Sequence, residues 1–189
     1  VASVDKAATA PTREAAIEMV LAAVAPGDAI ISTTGYTSRE LYETRDKIGD
    51  GHQKDFLTVG SMGHALAIAQ GVAAAQPERT VWCLDGDGAA LMHLGTQTVS
   101  ASLGLANLKH VLLNNSVHDS VGGQLTSASQ GTQRHDFGAV AKAVGYASVT
   151  SARTAEELKA ALASATKGGA TGPAFIEASL SLGTRDDLG

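Results

Sequence analysis

The chain has 189 residues, a length that fits one α/β domain with a substantial core. Its formal net charge of −5 argues against a general nucleic-acid-binding surface. No apolar run approaches the length of a membrane span and the N-terminus lacks the apolar segment of a signal peptide, so the cytoplasm is the expected compartment.

The first 32 residues predict a flexible leader, a helix and a strand. Residues 1–11 are rich in Ala, Ser and Thr and have no periodicity, which predicts the leader. Thr12 can cap a helix that runs to about Ala25. Pro and Gly follow that helix, and Ala29–Ser32 is then typical of a buried strand.

The turn after this strand predicts an anion-binding loop. Thr33–Ser38 is rich in Gly, Thr and Ser, and a helix follows from Arg39 to about Arg45. Backbone N–H groups and hydroxyls converge at such a helix start, where the helix dipole is positive. A simple turn with capping hydroxyls is the alternative. The next elements are a strand at Phe56–Val59 and an Ala-rich helix at 64–75.

The centre of the chain predicts a βαβ unit with oxygen ligands at both strand ends. The apolar run Val81–Leu84 leads into Asp85-Gly86-Asp87-Gly88, and a second run, Val111–Leu113, leads into Asn114-Asn115. Ligands bind outside the carboxyl ends of the strands in open α/β sheets. A carboxylate from Asp87 and an amide oxygen from Asn115 suit Mg²⁺, which completes its octahedron with phosphate and water. The unit therefore predicts a site for a metal-bound diphosphate.

Two further features have simpler interpretations. Cys83, the only cysteine, excludes a disulfide within the chain; inside a predicted strand it is expected to be a small buried residue rather than a nucleophile. A second Gly-Asp-Gly at 49–51 has no apolar strand before it, which indicates a turn.

The C-terminal third continues the alternation of helices and strands. A long polar loop precedes a helix at 136–144, a strand at 146–149, a capped helix at 154–167 and a strand at 174–178. This alternation predicts an α/β fold with a doubly wound parallel sheet and helices on both faces. We expect residues 12–189 to form a single domain.

The motifs resemble those of a known enzyme family. GDG followed by NN resembles the motif of thiamine diphosphate (ThDP) enzymes, in which it binds the cofactor and Mg²⁺. The segments GDGAALMH, LLNN, HDSVGGQ, TTGYTSRELYE and VGSMGHA together resemble phosphonopyruvate decarboxylase and the β subunit of sulfopyruvate decarboxylase. The resemblance spans residues 26–189 and implies a ThDP-binding domain fold that supplies only the diphosphate-binding half of the site. The pyrimidine-binding half is absent from the sequence.

This resemblance implies a set of site residues. Asp87, Asn115 and the backbone oxygen of Val117 would bind the metal. The Gly60 carbonyl would accept a hydrogen bond from the aminopyrimidine, and Met62 would wedge between the cofactor's rings, although core packing is the alternative for Met62. The full set of implied cofactor-binding residues is Thr34, Gly35, Tyr36, Gly60, Ser61, Met62, Gly86, Asp87, Gly88, Ala89, Ala90, Asn115 and Val117.

The loop after Asn115 supplies the candidate catalytic and substrate-binding residues. His118 is a candidate acid or base, with a solvated surface histidine as the alternative. Gln124, Thr126 and Ser127 are weaker candidates for contacts with an anionic substrate. A metal phosphohydrolase pair at His118-Asp119 lacks further ligands on helices.

The resemblance implies ThDP- and Mg²⁺-dependent, non-oxidative decarboxylation of phosphonopyruvate or sulfopyruvate. It also implies a pyrimidine-binding domain or α subunit as partner, a homo- or hetero-oligomer, and no activity without that partner. The alternatives are a ThDP-binding module of a carboligase resembling acetolactate synthase, and a non-catalytic Rossmann-like nucleotide-binding protein. Leu91 argues against the Rossmann-like alternative, because the G-x-G-x-x-G motif requires glycine at that position. Ala89 replaces the Ser that follows GDG in many ThDP enzymes, and Leu125 replaces the usual Pro after GGQ.

Overall fold

The structure, a computed structural model, describes residues 10–129, 135–185 and 187–188. The predicted leader at 1–11 lies outside the described residues except for Ala10 and Pro11. Within the described residues, no helix is long and apolar enough to cross a membrane.

Strands and helices alternate along the chain. The six strands are β1 Ala29–Ser32, β2 Asp55–Leu57, β3 Val81–Gly86, β4 Leu108–Asn114, β5 Ser148–Ala152 and β6 Ala174–Ser179. The seven α-helices of the described residues are α1 Arg13–Ala23, α2 Tyr36–Ile48, α3 Ala65–Ala75, α4 Asp87–Met92, α5 Thr96–Ser102, α6 Phe137–Val144 and α7 Ala155–Ala165.

All six strands pair in parallel in one sheet, in the order β2-β1-β3-β4-β6-β5. This arrangement confirms the predicted doubly wound α/β fold. The chain moves from β1 to one edge at β2 and then crosses to β3 on the other side of β1. Connections that run in opposite directions from neighbouring strands leave a crevice at the strands' carboxyl ends. The topology therefore places the candidate site beside β1 and β3.

Capping residues set several helix boundaries where the sequence predicts them. The Thr12 side chain accepts a hydrogen bond from the Ala15 N–H at 3.2 Å, and Thr154 caps α7 in the same way. Gly145 ends α6 in the left-handed conformation, and the Tyr146 N–H bonds back to the Ala141 carbonyl. Because Tyr146 still belongs to that cap, β5 begins two residues later than predicted.

The segment between β3 and β4 differs from the single helical stretch that its length suggests. It forms the two short helices α4 and α5, separated by residues 93–95. His93 departs from helical geometry with φ −135° and ψ 47°, and Gly95 favours a break because glycine is a poor helix former. The break leaves α4 as a short element directly behind the Gly-Asp-Gly turn.

Apolar side chains cover both faces of the sheet. Trp82, Leu84 and Val111 pack with α1 and α7 on one face. Cys83 and Val81 pack with α3 on the other face. Side chains of consecutive strand residues point to opposite faces, so neighbours such as Trp82 and Cys83 enter different cores. Burial on both faces explains the continuous apolar run of β3.

Candidate active site

A cleft of about 230 Å³ lies at the carboxyl ends of β1, β3 and β4. This is the edge at which the sequence predicts the cofactor. Its lining residues are Arg13, Thr33, Thr34, Gly35, Tyr36, Thr37, Met62, Gly86, Asp87, Gly88, Ala89, Leu113, Asn115, Val117, His118, Asp119, Ser120 and Val121.

The two predicted metal ligands with side-chain oxygens both line this cleft. Asp87 is the first residue of α4 and is 2% exposed, and Asn115 follows β4 and is 6% exposed. Thr126 donates a hydrogen bond from Oγ1 to Asp87 Oδ2 at 2.7 Å and is itself fully buried. That contact fixes the orientation of the Asp87 carboxylate. Thr126, predicted as a substrate contact, does not itself line the cleft.

Local hydrogen bonds shape the loop that carries Asn115. The Val117 N–H donates to Asn115 Oδ1 at 3.2 Å, an Asx turn that brings the backbone at 117 to the cleft. Ser116 adopts a left-handed conformation with φ 69°. Leu125 pairs with Val117 in an antiparallel bridge. The loop thus folds back on itself next to the carboxyl end of β4.

A buried ionic chain runs from α1 to this loop. Arg13 donates to both oxygens of Glu40 at 2.8 and 2.9 Å and to Asp119 Oδ2 at 2.8 Å. Asp119 Oδ2 also accepts a hydrogen bond from Asn115 Nδ2 at 2.5 Å. Burial lowers the pKa of Arg13, but hydrogen bonds and charge from Glu40 and Asp119 outweigh this and leave the pKa raised.

Sequence reasoning missed Arg13, Glu40 and Asp119 as contributors to this site. Asp119 follows the metal motif by four residues, but Arg13 is 106 residues away in sequence. The only sequence signals for this contact are a basic residue at the start of one helix, Arg13, and an acidic residue inside the next helix, Glu40. The arrangement ties the expected metal ligand Asn115 to two helices on one face of the sheet.

The predicted anion loop lines the opposite side of the cleft. Gly35 has φ +92°, and a Cβ there would approach Ser120 Oγ to 3.0 Å. The N–H groups of the first turn of α2 precede the first intrahelical bond, from Arg39 to the Gly35 carbonyl. Thr33 is 4% exposed, and its Oγ1 has no hydrogen-bond partner within the described residues. An orphaned hydroxyl beside a helix N-terminus fits a phosphate oxygen.

The loop between β2 and α3 brings only one of its three predicted residues to the cleft. Met62 is half-buried and lines it. Gly60 and Ser61 are exposed and outside its lining. Three residues of this loop have positive φ values, 68° at Gly60, 48° at Ser61 and 86° at Gly63. A Cβ at Gly63 would lie 2.9 Å from the Ala89 carbonyl oxygen, so close packing against α4 holds this backbone.

His118 lies over the glycine that follows Asp87. A Cβ at Gly88 would come within 2.5 Å of His118 Cε1, so the imidazole occupies the space a side chain would need. The His118 N–H donates to the Gln124 carbonyl at 2.8 Å. This places a titratable ring in the cleft wall beside the expected metal ligand. Such a position suits a group that binds or transfers a proton.

The remaining predicted residues lie outside the cleft lining. Gln124 and Ser127 are exposed, and Gln124 contributes its carbonyl to the loop. Ala90, the fourth residue of α4, is buried and packs with Leu112. Ser120 and Val121, which were not predicted, line the cleft instead.

The charge of the cleft requires a cation for a diphosphate to bind. Among the described lining residues, Arg13 is the only lysine or arginine, and Glu40 and Asp119 already neutralise it. Asp87 and Asp119 would repel phosphate oxygens. A divalent ion held by Asp87 and Asn115 would remove that repulsion. The residues present therefore fit a metal-bound diphosphate and do not fit a bare one.

Comparison with known proteins agrees with this geometry. The model of the thiamine pyrophosphate enzyme C-terminal TPP binding domain matches residues 34–178. Phosphonopyruvate decarboxylase from Streptomyces hygroscopicus is 44% identical over 180 residues, which are 95% of this chain and 42% of that protein. Sulfopyruvate decarboxylase subunit beta from Methanothermobacter thermautotrophicus is 41% identical over 117 residues, which are 62% of this chain and 58% of that subunit. The chain thus spans less than half the length of the phosphonopyruvate decarboxylases.

Solved structures share the fold. A thiamine diphosphate-dependent 4-hydroxybenzoylformate decarboxylase from Rhodococcus jostii matches 97% of this chain and 34% of its own, with a TM-score of 0.73 at 19% identity. A putative thiamin diphosphate-dependent enzyme from Mycobacterium smegmatis matches 93% of this chain with a TM-score of 0.72 at 24% identity.

Proposed function

Because the chain belongs to the C-terminal, TPP-binding domains of thiamine pyrophosphate enzymes, we propose that it supplies the diphosphate and Mg²⁺ half of a 2-oxo acid decarboxylase. The substrate we propose carries an anionic tail, as phosphonopyruvate and sulfopyruvate do. The names of the relatives support this choice. The observation that carries the proposal is the cleft in which Asp87 and Asn115 face the N-terminus of α2.

Each side of the cleft has a distinct role in the proposed mechanism. When bound, the cofactor supplies the electron sink that permits loss of CO₂ from the 2-oxo acid. Asp87, Asn115 and the Val117 carbonyl would hold the metal, and the start of α2 with Thr33 would hold phosphate oxygens. Met62, which lines the same cleft, would contact the cofactor. These contacts orient the cofactor before any substrate arrives, so that little reorganisation accompanies the reaction.

His118 carries the proton-transfer role in this proposal. Its imidazole lies in the cleft wall against Gly88, close to the metal end of the site. A histidine can donate or accept a proton near neutral pH, which protonation of the product carbon requires. The loop that carries His118 also lines the cleft through residues 117–121.

A partner domain completes the site. Val121 lines the cleft and is 67% exposed; Val59, in the loop that carries Met62, is 94% exposed, and Met92, beside Gly63 of that loop, is 56% exposed. Exposed apolar residues grouped at a site mark a contact surface. We propose that a pyrimidine-binding domain or α subunit covers them and supplies the glutamate that activates the cofactor, and that the chain is inactive without it. The subunit beta relatives support a partner of this kind.

Calorimetric titration of the chain with ThDP tests the cofactor half of the proposal. We expect saturable binding with Mg²⁺, loss of binding with a chelator, and loss in Asp87→Asn. Asp46→Asn, at an exposed position on α2, is the matched control and should bind normally. Fluorescence of Trp82, the only tryptophan, is unsuitable for following ThDP binding. Its side chain is buried and donates a hydrogen bond to Asp28 at the end of the sheet away from the cleft. Metal-independent binding would favour a Rossmann-like nucleotide site and overturn the proposal.

Activity of the assembled enzyme tests the reaction. The chain reconstituted with a pyrimidine-binding domain should release CO₂ from phosphonopyruvate or sulfopyruvate faster than from pyruvate. The two aldehyde products are phosphonoacetaldehyde and sulfoacetaldehyde. Condensation of two 2-oxo acids instead of aldehyde release would identify a carboligase. Activity of the chain without any partner would contradict the divided site.

A further inference from the structure

A second group of metal-ligating side chains lies in the core, behind the strands that carry the cofactor residues. Cys83 and Asp85 are two residues apart on β3 and therefore share one face of the sheet. His110 on β4 is the direct neighbour of Cys83 across the strands. The ligand atoms of the three side chains all lie within 4.8 Å of one another, and exposure of the residues is 0–1%.

We propose that Cys83, Asp85 and His110 form a buried binding site for one transition-metal ion, for which zinc is the best fit. This site is separate from the Mg²⁺ position at Asp87 and does not rest on the proposed function. One sulfur, one nitrogen and one oxygen form a mixed ligand set of the kind zinc takes in proteins, whereas Mg²⁺ prefers oxygen ligands alone.

The separation of the ligand atoms supports coordination. His110 Nε2 and Asp85 Oδ2 are 3.6 Å apart, and neither has a hydrogen-bond partner within the described residues. Two ligands at zinc-bond length on a tetrahedron are about 3.4 Å apart. A direct hydrogen bond would bring these atoms closer. Two unpartnered polar atoms buried together are costly unless a third group lies between them.

The surrounding hydrogen bonds orient the same two atoms. His110 Nδ1 lies 3.3 Å from the Tyr146 hydroxyl, and the Nδ1–H tautomer would donate to it and leave Nε2 as the ligand. Asp85 Oδ1 accepts the Gly86 N–H at 2.9 Å and leaves Oδ2 available. Metal ligands in proteins commonly have such contacts on their other atom.

A tetrahedral ion needs a fourth ligand, and a buried amide is available on the adjacent helix. Gln97 on α5 is 1% exposed, and neither its Oε1 nor its Nε2 has a hydrogen-bond partner within the described residues. Ser100, one turn later on α5, bonds to Tyr146 and thus lies on the side of the histidine. Gln97 Oε1 or a water molecule would complete the tetrahedron.

The thiol must lose its proton when the metal binds. Burial, and then the negative charge of Asp85, raise the pKa of Cys83, so without metal this side chain remains a neutral thiol. Zinc replaces that proton, which leaves to solvent, and no electron is transferred. Because the site is enclosed, the ion must enter while the chain folds.

Metal content and cobalt substitution test the site. Protein produced in zinc-supplemented medium should retain about one zinc ion per chain after dialysis. Protein refolded with Co²⁺ should show the intense visible bands of a tetrahedral ion and a thiolate-to-cobalt charge-transfer band. Cys83→Ser should lose the charge-transfer band, and His110→Gln should lower metal content to background.

Controls separate this site from the Mg²⁺ site and from misfolding. Asp87→Asn should leave both zinc content and the cobalt spectrum unchanged. Zinc should raise the Tm of the wild-type chain but not that of Cys83→Ala. A folded wild-type chain that retains no zinc and shows no thiolate band after refolding with Co²⁺ would overturn the proposal. Asp85 and His110 would then be a metal-free contact in the core.

Discussion

At the scale of single residues, the candidate site depends on side chains that support the expected ligands. Thr126 illustrates this, because its buried hydroxyl touches Asp87 and nothing about its place in a polar loop identifies that partner. Sequence reasoning finds the carboxylate from the Gly-Asp-Gly turn. It cannot find the supporting hydroxyl, because 39 residues separate the two in sequence.

Removing that hydroxyl should weaken metal-dependent cofactor binding. Thr126→Val keeps the volume but removes the hydroxyl that donates to Asp87 Oδ2. A hydrogen bond to a charged group contributes about 1.5–3 kcal/mol, so we expect the dissociation constant of ThDP with Mg²⁺ to rise roughly 10-fold or more. Calorimetry measures it, with Thr98→Val at an exposed position of α5 as control. Equal affinities in both variants would remove Thr126 from the site.

Adding a methyl group at Gly88 should displace His118. A Cβ there overlaps the imidazole, which must rotate away. We expect Gly88→Ala to lower kcat of the assembled enzyme roughly 10–100-fold, the scale of a lost general acid or base. Affinity for ThDP should change much less. Gly95→Ala, where a Cβ meets nothing within 4 Å, is the control. Full activity of Gly88→Ala would argue against a catalytic His118.

At the scale of secondary-structure elements, the link between α1 and the metal loop is the main feature that the sequence conceals. The positions of strands and helices and the site's edge of the sheet follow from apolar periodicity, caps and glycine positions, whereas the order of the strands does not. The buried contacts of Arg13 with Glu40 and Asp119 do not, because a periodicity pattern treats charged residues as surface. The break between α4 and α5 could not be predicted from the sequence either, because residue propensities alone determine helix ends poorly.

Breaking this link should affect both stability and metal binding. Arg13→Met leaves the buried Glu40 and the half-buried Asp119 without their shared cation, which should cost about 3 kcal/mol and lower Tm by roughly 6–12 °C. Because Arg13 then no longer fixes Asp119, which accepts the Asn115 amide, the Mg²⁺ concentration for half-saturation should also rise. Thermal unfolding and Mg²⁺ titration at fixed ThDP measure the two effects.

Two variants control this experiment. Arg13→Lys keeps the charge but loses the two-pronged contact with Glu40, so it should fall between the wild type and Arg13→Met. Arg153→Met alters an exposed arginine and should change neither quantity. A stable Arg13→Met chain with normal Mg²⁺ affinity would show that the ionic chain positions nothing.

At the scale of the whole molecule, one sheet edge gathers the contributions of three distant segments. Residues from β1, β3 and β4 meet there because parallel strands end at the same edge, and because the connections that leave β1 and β3 run to opposite sides of the sheet. The shared edge follows from the predicted parallel sheet, whereas the strand order is seen only in the structure. The prediction that this chain supplies only half of the cofactor site follows from the motifs alone, because the fold itself does not indicate it.

A charge placed on the exposed rim should block assembly. Val59→Asp introduces a carboxylate at a position that is 94% exposed. We expect at least about a 10-fold loss of affinity for the pyrimidine-binding domain and an unchanged Tm. Ile48→Asp is the matched control, since this residue is 58% exposed but lies at the opposite end of α2 from the cleft. Analytical ultracentrifugation of the mixture measures association. Equal loss in both variants would place the interface elsewhere.

The contact between Arg13 and Asp119 also bears on how this domain can be excised, fused or exchanged. A fragment trimmed to the family match at 34–178 would lose α1 and β1. The apolar strand β3, which is central in the intact sheet, would become an unpaired edge strand, and such an edge promotes aggregation. Glu40 and Asp119 would stay behind without their shared cation. Chimeras therefore need their junction before Thr12, where Pro11 already pairs with Ser181 and brings the two ends of the domain together.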